Sequence, residues 1–130
     1  MKINEQVLSR KQMAHLRELG IDTSDASLCW RWSNEDGGWV LGFMNSLLQE
    51  ICNPPHRKGP FPAYTIGDLI EKLPKRNDEG SRFDISLSNK TFSYVYTDIF
   101  VYYGEYNNLI DGLYNCLCWV AENHKELIIT

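Results

Sequence analysis

The sequence predicts a two-layer α+β domain, with an antiparallel sheet of two hairpins and three helices in the order α-ββ-α-ββ-α. Three observations predict it. Two stretches, Leu28–Phe43 and Phe83–Tyr96, alternate apolar and polar residues on either side of a turn. Three others carry apolar residues at three- and four-residue spacings, the period of a half-buried helix. Adjacent hairpins favour antiparallel pairing, and three helices are too few to cover both faces of a sheet. The 130 residues suit one domain, 1–130, with one core.

The first helix begins at Leu8-Ser9-Arg10-Lys11-Gln12-Met13. Ser9 can cap it, and Gln12 three residues on completes a capping box. Leu8 and Met13 stand where a hydrophobic staple would put them. Gly20 ends it after about ten residues.

Asp22–Ser27 reads as a polar loop. In the first hairpin Leu28, Trp30 and Trp32 share a face, and Asn34-Glu35-Asp36-Gly37 is turn material. A four-residue loop pairs Trp32 with Trp39, Trp30 with Leu41 and Leu28 with Phe43. All six then lie on one face, so turn length and alternation agree. Asn45–Cys52 could form a helical turn or two. Asn53–Pro62 holds four of the five prolines and is expected to be loop.

Thr65 caps a second helix, with Asp68 at its third position. Ile66, Leu69, Ile70 and Leu73 form its apolar side and Pro74 stops it. Lys75–Ser81 is a charged linker. In the second hairpin a two-residue turn at Asn89-Lys90 pairs Leu87 with Phe92, Ile85 with Tyr94 and Phe83 with Tyr96. Ile99–Tyr103 either continues that strand past a bulge at Asp98 or forms a strand of its own.

The last helix spans Asn107–Asn123. Leu109, Leu113, Cys116 and Val120 lie within roughly 60° of each other at about 100° per residue. Asn108 caps it, and Asp111 suits the exposed N–H groups of its first turn. Gly112 on its buried flank would let a neighbour approach closely. This stripe is expected to press on Trp30, Trp39, Ile85 and Tyr94, with Cys118 facing outward. Leu127–Ile129 adds an edge strand or frays.

Composition narrows the function classes. At 43% hydrophobic and 23% charged the chain is an ordinary globular protein rather than a disordered one. Its longest apolar run is too short to span a bilayer, and MKINEQVLSRK lacks the apolar core of a signal peptide. A cytoplasmic protein with reduced cysteines and no membrane partner is therefore expected. A net charge of −4 argues against a broad phosphate-binding footprint, so nucleic acid is not an expected partner. Only a basic stripe gathering Arg10, Lys11, Arg17, Arg31, Arg57 and Lys58 would revive it.

No motif carries chemistry. Cys116 and Cys118 point about 200° apart on a helix and cannot readily share an ion, so no metal is expected. His15, His56 and His124 stand in no recognisable catalytic context, and the carboxylate pairs Glu35/Asp36 and Asp78/Glu79 fall in turns. There is no GxxxxGK[ST], GxGxxG or GxSxG pattern. The expectation is no catalytic residue, no cofactor and no enzyme.

The binding-like residues are Trp30, Trp32 and Trp39, which either form a core face under a helix or leave a patch open to a partner. His56, Arg57 and Lys58 form a small basic cluster in the proline loop, a candidate contact for an anionic or protein partner. Cys118 on the polar side of the last helix could meet another element or a partner chain. Tyr102, Tyr103 and Tyr106 could line a groove beside that helix.

AYTIGDLIEKLP and NNLIDGLYNCLCWVAEN, together with ELGIDTSDASLCW, resemble small uncharacterised proteins of Bacteroidetes genomes and their phages or mobile elements. The resemblance rests on Thr65, Asp68, Leu69, Ile70, Leu73 and Pro74, then on Leu109, Asp111, Tyr114, Leu117, Cys118 and Trp119. It implies an intracellular origin and no particular activity. The expected function is a non-enzymatic binding or adaptor protein acting through protein contacts, a homodimer among the options. The alternative is a small-molecule-binding protein or minor enzyme with a site near the 53–63 loop.

Overall fold

The computed structural model of the chain describes residues 3–45, 60–74, 83–96 and 100–128. In order the elements are α1 (Arg10–Glu18), β1 (Leu28–Ser33), β2 (Gly38–Phe43), β3 (Phe61–Ala63), α2 (Ile66–Lys72), β4 (Phe83–Ser88), β5 (Thr91–Tyr96), β6 (Phe100–Glu105) and α3 (Leu109–Asn123). Short 3-10 turns precede α1 and follow α3. The fold is α+β. The strands form two antiparallel sheets of three, in the orders β2-β1-β3 and β4-β5-β6.

Both hairpins have the register that alternation and turn length imply. Trp32 pairs with Trp39, Trp30 with Leu41 and Leu28 with Phe43. Leu87 pairs with Phe92, Ile85 with Tyr94 and Phe83 with Tyr96. Each hairpin also gains a third strand. Phe61–Ala63, expected as loop through Pro62, pairs with Leu28–Trp30. A proline is tolerated there because an edge strand leaves one side of its ladder unused. Residues 100–105 form a separate strand on β5. The expected helical turn at 45–52, the linker at 75–81 and the bulge at Asp98 lie outside the described residues, Asn45 apart.

The turn at Asn89-Lys90 has φ of 51° and 63°, the two left-handed residues of a type I′ turn. Asparagine tolerates this conformation and lysine does not, at a cost of roughly 1 kcal/mol. Lys90→Gly should therefore raise stability by about 0.5–1 kcal/mol in urea denaturation. A loss would show that the lysine side chain is needed at the turn.

Helix α1 is closed at both ends by its own sequence. Ser9 and Gln12 form the reciprocal capping box. At the other end Gly20, at φ 91°, donates to Arg17, and Ile21 donates to Leu16. These are the two hydrogen bonds of a Schellman motif, and buried Ile21 and Leu16 supply its apolar contact. Leu8, Met13 and Leu16 are fully buried, and the Leu8 N–H bonds the carbonyl of Tyr64. α2 is capped by Thr65 and Asp68 in the same way. Asp68 also accepts from the backbone and hydroxyl of Ser27, which ties the entry of β1 to the start of α2.

The core lies around α3. Ile110, Leu113, Cys116, Leu117 and Val120 are buried against Phe92 and Tyr94 of the second sheet and Leu69 and Leu73 of α2. Trp30 and Trp39 are not part of this core, contrary to the expected packing. The two sheets are separate, and α3 lies on the second. Gly112 is where α3 meets β5. A Cβ there would come 2.4 Å from Phe92 Cδ2 and 2.6 Å from its Cγ, so the close neighbour is an aromatic ring.

One polar cluster is built into the interior. Lys72, 7% exposed, bonds Asp25 at 2.9 Å. The Tyr64 hydroxyl donates to the other Asp25 oxygen at 2.6 Å and faces the Asp22 carbonyl at 3.1 Å. Burial and the Asp25 carboxylate raise the Tyr64 pKa far above the usual tyrosine range, so the phenol stays a donor.

Candidate binding face

The tryptophan face of the first sheet carries the most informative site. Leu28, Trp30 and Trp32 of β1 stand beside Phe43, Leu41 and Trp39 of β2, with Ala63 and Phe61 of β3 on the other flank. Among the described residues, α1 reaches this face through its first turn. Trp30 is half-buried, its indole N–H donating to the Leu8 carbonyl at 3.0 Å. Trp39 packs edge-on against Trp32 at 5.6 Å between ring centres and tilts against Phe61 at 5.4 Å.

The Arg10 guanidinium lies 4.1 Å above the Trp39 ring and 6.0 Å from that of Phe61, a cation–π arrangement. Trp32 remains 51% exposed and Phe43 86% exposed, at opposite ends of the face. Of the three tryptophans, Trp30 and Trp39 are half-buried and Trp32 is exposed. Cys29, on the reverse of the sheet opposite Gly42 and Pro62, is the fully buried residue of β1.

An open groove of about 300 Å³ runs between Ser9, Arg10 and Lys11 on one wall and Trp30 and Trp39 on the other. Lys11 and Arg10 are exposed, and the first turn of α1 holds no carboxylate. A second recess, about 510 Å³ and mainly apolar, is lined by Val7, Leu28 and Ile66 among others.

The other sequence candidates fare differently. His56, Arg57 and Lys58 lie outside the described residues. Arg31 stands on the reverse of the sheet, where its guanidinium covers Gly42, so it cannot join Arg10 and Lys11 in one basic stripe. Cys118 is not an outward thiol. It is 8% exposed and meets the Tyr114 side chain one turn earlier. The helix is enclosed on more of its circumference than a single stripe implies, because α1 and β6 flank it as well as β5: His15 of α1 contacts Tyr114, and Tyr102 of β6 stacks on Trp119.

The tyrosines divide by strand alternation. Tyr102 faces α3 and shares a 2.6 Å hydroxyl contact with Tyr106, whereas Tyr103 points away, 70% exposed. His15 stands 3.7 Å from Glu18, and His124 lies beside the Trp119 ring at 5.3 Å. Lys125–Leu127 forms a 3-10 turn, and Ile129 of the segment expected to add an edge strand or fray lies outside the described residues.

Among the described residues no group of three His, Cys, Asp or Glu side chains is placed to hold a metal. Burial raises the Cys118 pKa to about 11 and that of Cys116 further. Both thiols are neutral at pH 7 and poor nucleophiles. A raised folded-state pKa means that stability is complete below the unfolded thiol pKa, near 9, and is lost as pH rises through the folded one. Denaturant midpoints should therefore fall between pH 9 and 11. Labelling of the two thiols by iodoacetamide at pH 8 should require unfolding, and rapid labelling in native buffer would contradict their burial.

No protein-family model, no curated protein and no solved structure matches the chain. The case for function accordingly rests on the face itself. Of its members, Arg10 and Lys11 enter the sequence reading only as part of a conditional basic stripe, and Phe61 only as loop. Arg10 is 51 positions from Phe61, and nothing local marks that meeting. Phe43 was visible, since alternation placed it on the tryptophan side.

Proposed function

We propose that the protein is a non-enzymatic binding or adaptor protein that engages a protein partner through the tryptophan face. One observation carries this reading. Residues of core type, Trp32 and Phe43, stay exposed at the two ends of a hairpin face, and Arg10 lies over Trp39 beside Trp32. Exposed aromatics beside an arginine are the residue types that dominate protein interfaces. The resemblance to Bacteroidetes and phage proteins supports an origin in such a cell or a mobile element, with action in the cytoplasm. No helix of the described residues is long and apolar enough to cross a membrane. The small-molecule alternative gains no observation. Residues 53–59 of its loop lie outside the described residues, and the mainly apolar recess has no titratable group among Gln6, Val7, Leu28, Thr65, Ile66 and Gly67.

The test compares wild type with Trp32→Ser and Phe43→Ser, both surface changes. Sedimentation and affinity capture from a Bacteroidetes lysate should show a species bound by wild type and lost with either variant. If wild type dimerises and the variants do not, the partner is a second copy. Equal retention by all three, with folding intact, would refute the proposal.

A further inference from the structure

We propose that the groove between the first turn of α1 and the tryptophan face takes an acidic segment of the partner protein. Its carboxylate would sit on Arg10 and a neighbouring apolar or aromatic side chain on Trp39. This rests on the protein-binding reading above and names the chemistry of the partner.

The geometry at Arg10 is the starting point. Its guanidinium carbon lies 4.1 Å over the centre of the Trp39 ring. The ring holds the cation without using its five N–H donors as hydrogen bonds to protein acceptors, so they remain for a ligand. The Arg10 side chain makes no hydrogen bond or ion pair with a described residue, and neither does Lys11. A stacked arginine has already lost much of its rotamer freedom, so a carboxylate meets a preorganised fork. Lys11 adds a second cation to the same wall. Trp30 is fixed by its bond to Leu8, which gives the opposite wall a defined shape.

Charge and size select among anions. Two cations and two indoles match one or two carboxylates flanked by flat or apolar side chains. A polyanion such as nucleic acid needs a row of cations, and Arg31 lies on the other side of the sheet. The chain as a whole carries −4, which repels a polyanion beyond the groove.

The test is selection from random phage-displayed peptides of about a dozen residues on the full chain, followed by titration of the enriched peptides. The expected peptides carry Asp or Glu next to an aromatic, leucine or proline. Their affinity should fall about tenfold or more with Arg10→Gln and recover in part with Arg10→Lys, which restores charge without the fork. It should also fall as salt rises. Circular dichroism confirms that each variant is folded. Enriched peptides without acidic residues that still need Trp32 would overturn the carboxylate assignment and leave the protein-binding reading standing. Peptides indifferent to Arg10, Trp32 and Trp39 alike, or no enrichment, would overturn both. Binding of inorganic phosphate or a DNA oligonucleotide in the groove, with no acidic peptide bound, would overturn the inference in favour of a phosphate ligand.

Discussion

Gly112→Ala should destabilise the protein by about 1–3 kcal/mol, although alanine is the better helix former by about 1 kcal/mol. The added methyl would lie 2.4–3.0 Å from Cδ2, Cγ and Cβ of Phe92, whose ring is fully buried and has no free end to swing aside. Overpacking therefore outweighs propensity. Phe92→Ala alone should cost about 3–5 kcal/mol through the cavity it leaves. In that background Cγ and Cδ2 are gone, and Gly112→Ala should become neutral or stabilising. A double-mutant cycle by urea denaturation measures the reversal. If Gly112→Ala costs the same in both backgrounds, the close approach is not what excludes a side chain.

Asp25→Ala should cost about 2–4 kcal/mol, more than a surface ion pair is worth. Asp25 itself is half in solvent, so the attraction it supplies is screened, and exposed pairs contribute under about 1 kcal/mol. The cost comes from what is left behind. Lys72 loses its partner while only 6% of its side chain is exposed, whereas Tyr64, 1% exposed, keeps the Asp22 carbonyl as acceptor. An unpaired buried charge or donor carries its full desolvation penalty. Lys72→Met should be milder than Asp25→Ala, because it fills the same space and buries no charge. The reverse order, read from thermal and urea unfolding, would mean that the lysine reaches water when its partner is removed.

The sequence disclosed local features well and their assembly poorly. Ser9 with Gln12, Thr65 with Asp68 and Asn108 with Asp111 are caps set by residues three apart, and all three form. Both hairpin registers follow from turn length and alternation, which are equally local. What alternation cannot say is which element lies on a given face. Of the four residues expected beneath α3, Tyr94 is in the core with Phe92 beside it and Ile85 packs against that core, whereas Trp30 and Trp39 do not. Nothing within either hairpin distinguishes one sheet of four strands from two sheets of three: β3 comes from a segment well beyond the first hairpin, and β6 follows β5 directly but could equally continue it. Phe61–Ala63 was hidden by its proline. Cys118 was misplaced because a helical wheel gives direction but not the number of neighbours. The candidate face is half legible: its tryptophans stand out in the alternation, while the meeting of Arg10 with Trp39 has no local mark.

The first turn of α1 places Arg10 and Lys11 at the positive end of the helix dipole, with no acid to offset them. A laboratory selection for heat resistance would be expected to replace either one by glutamate, gaining a few tenths of a kcal/mol per exchange. Such a variant would outlast the natural chain while its groove wall had lost its net positive charge, so thermal ranking of variants would select against the charge that distinguishes this wall.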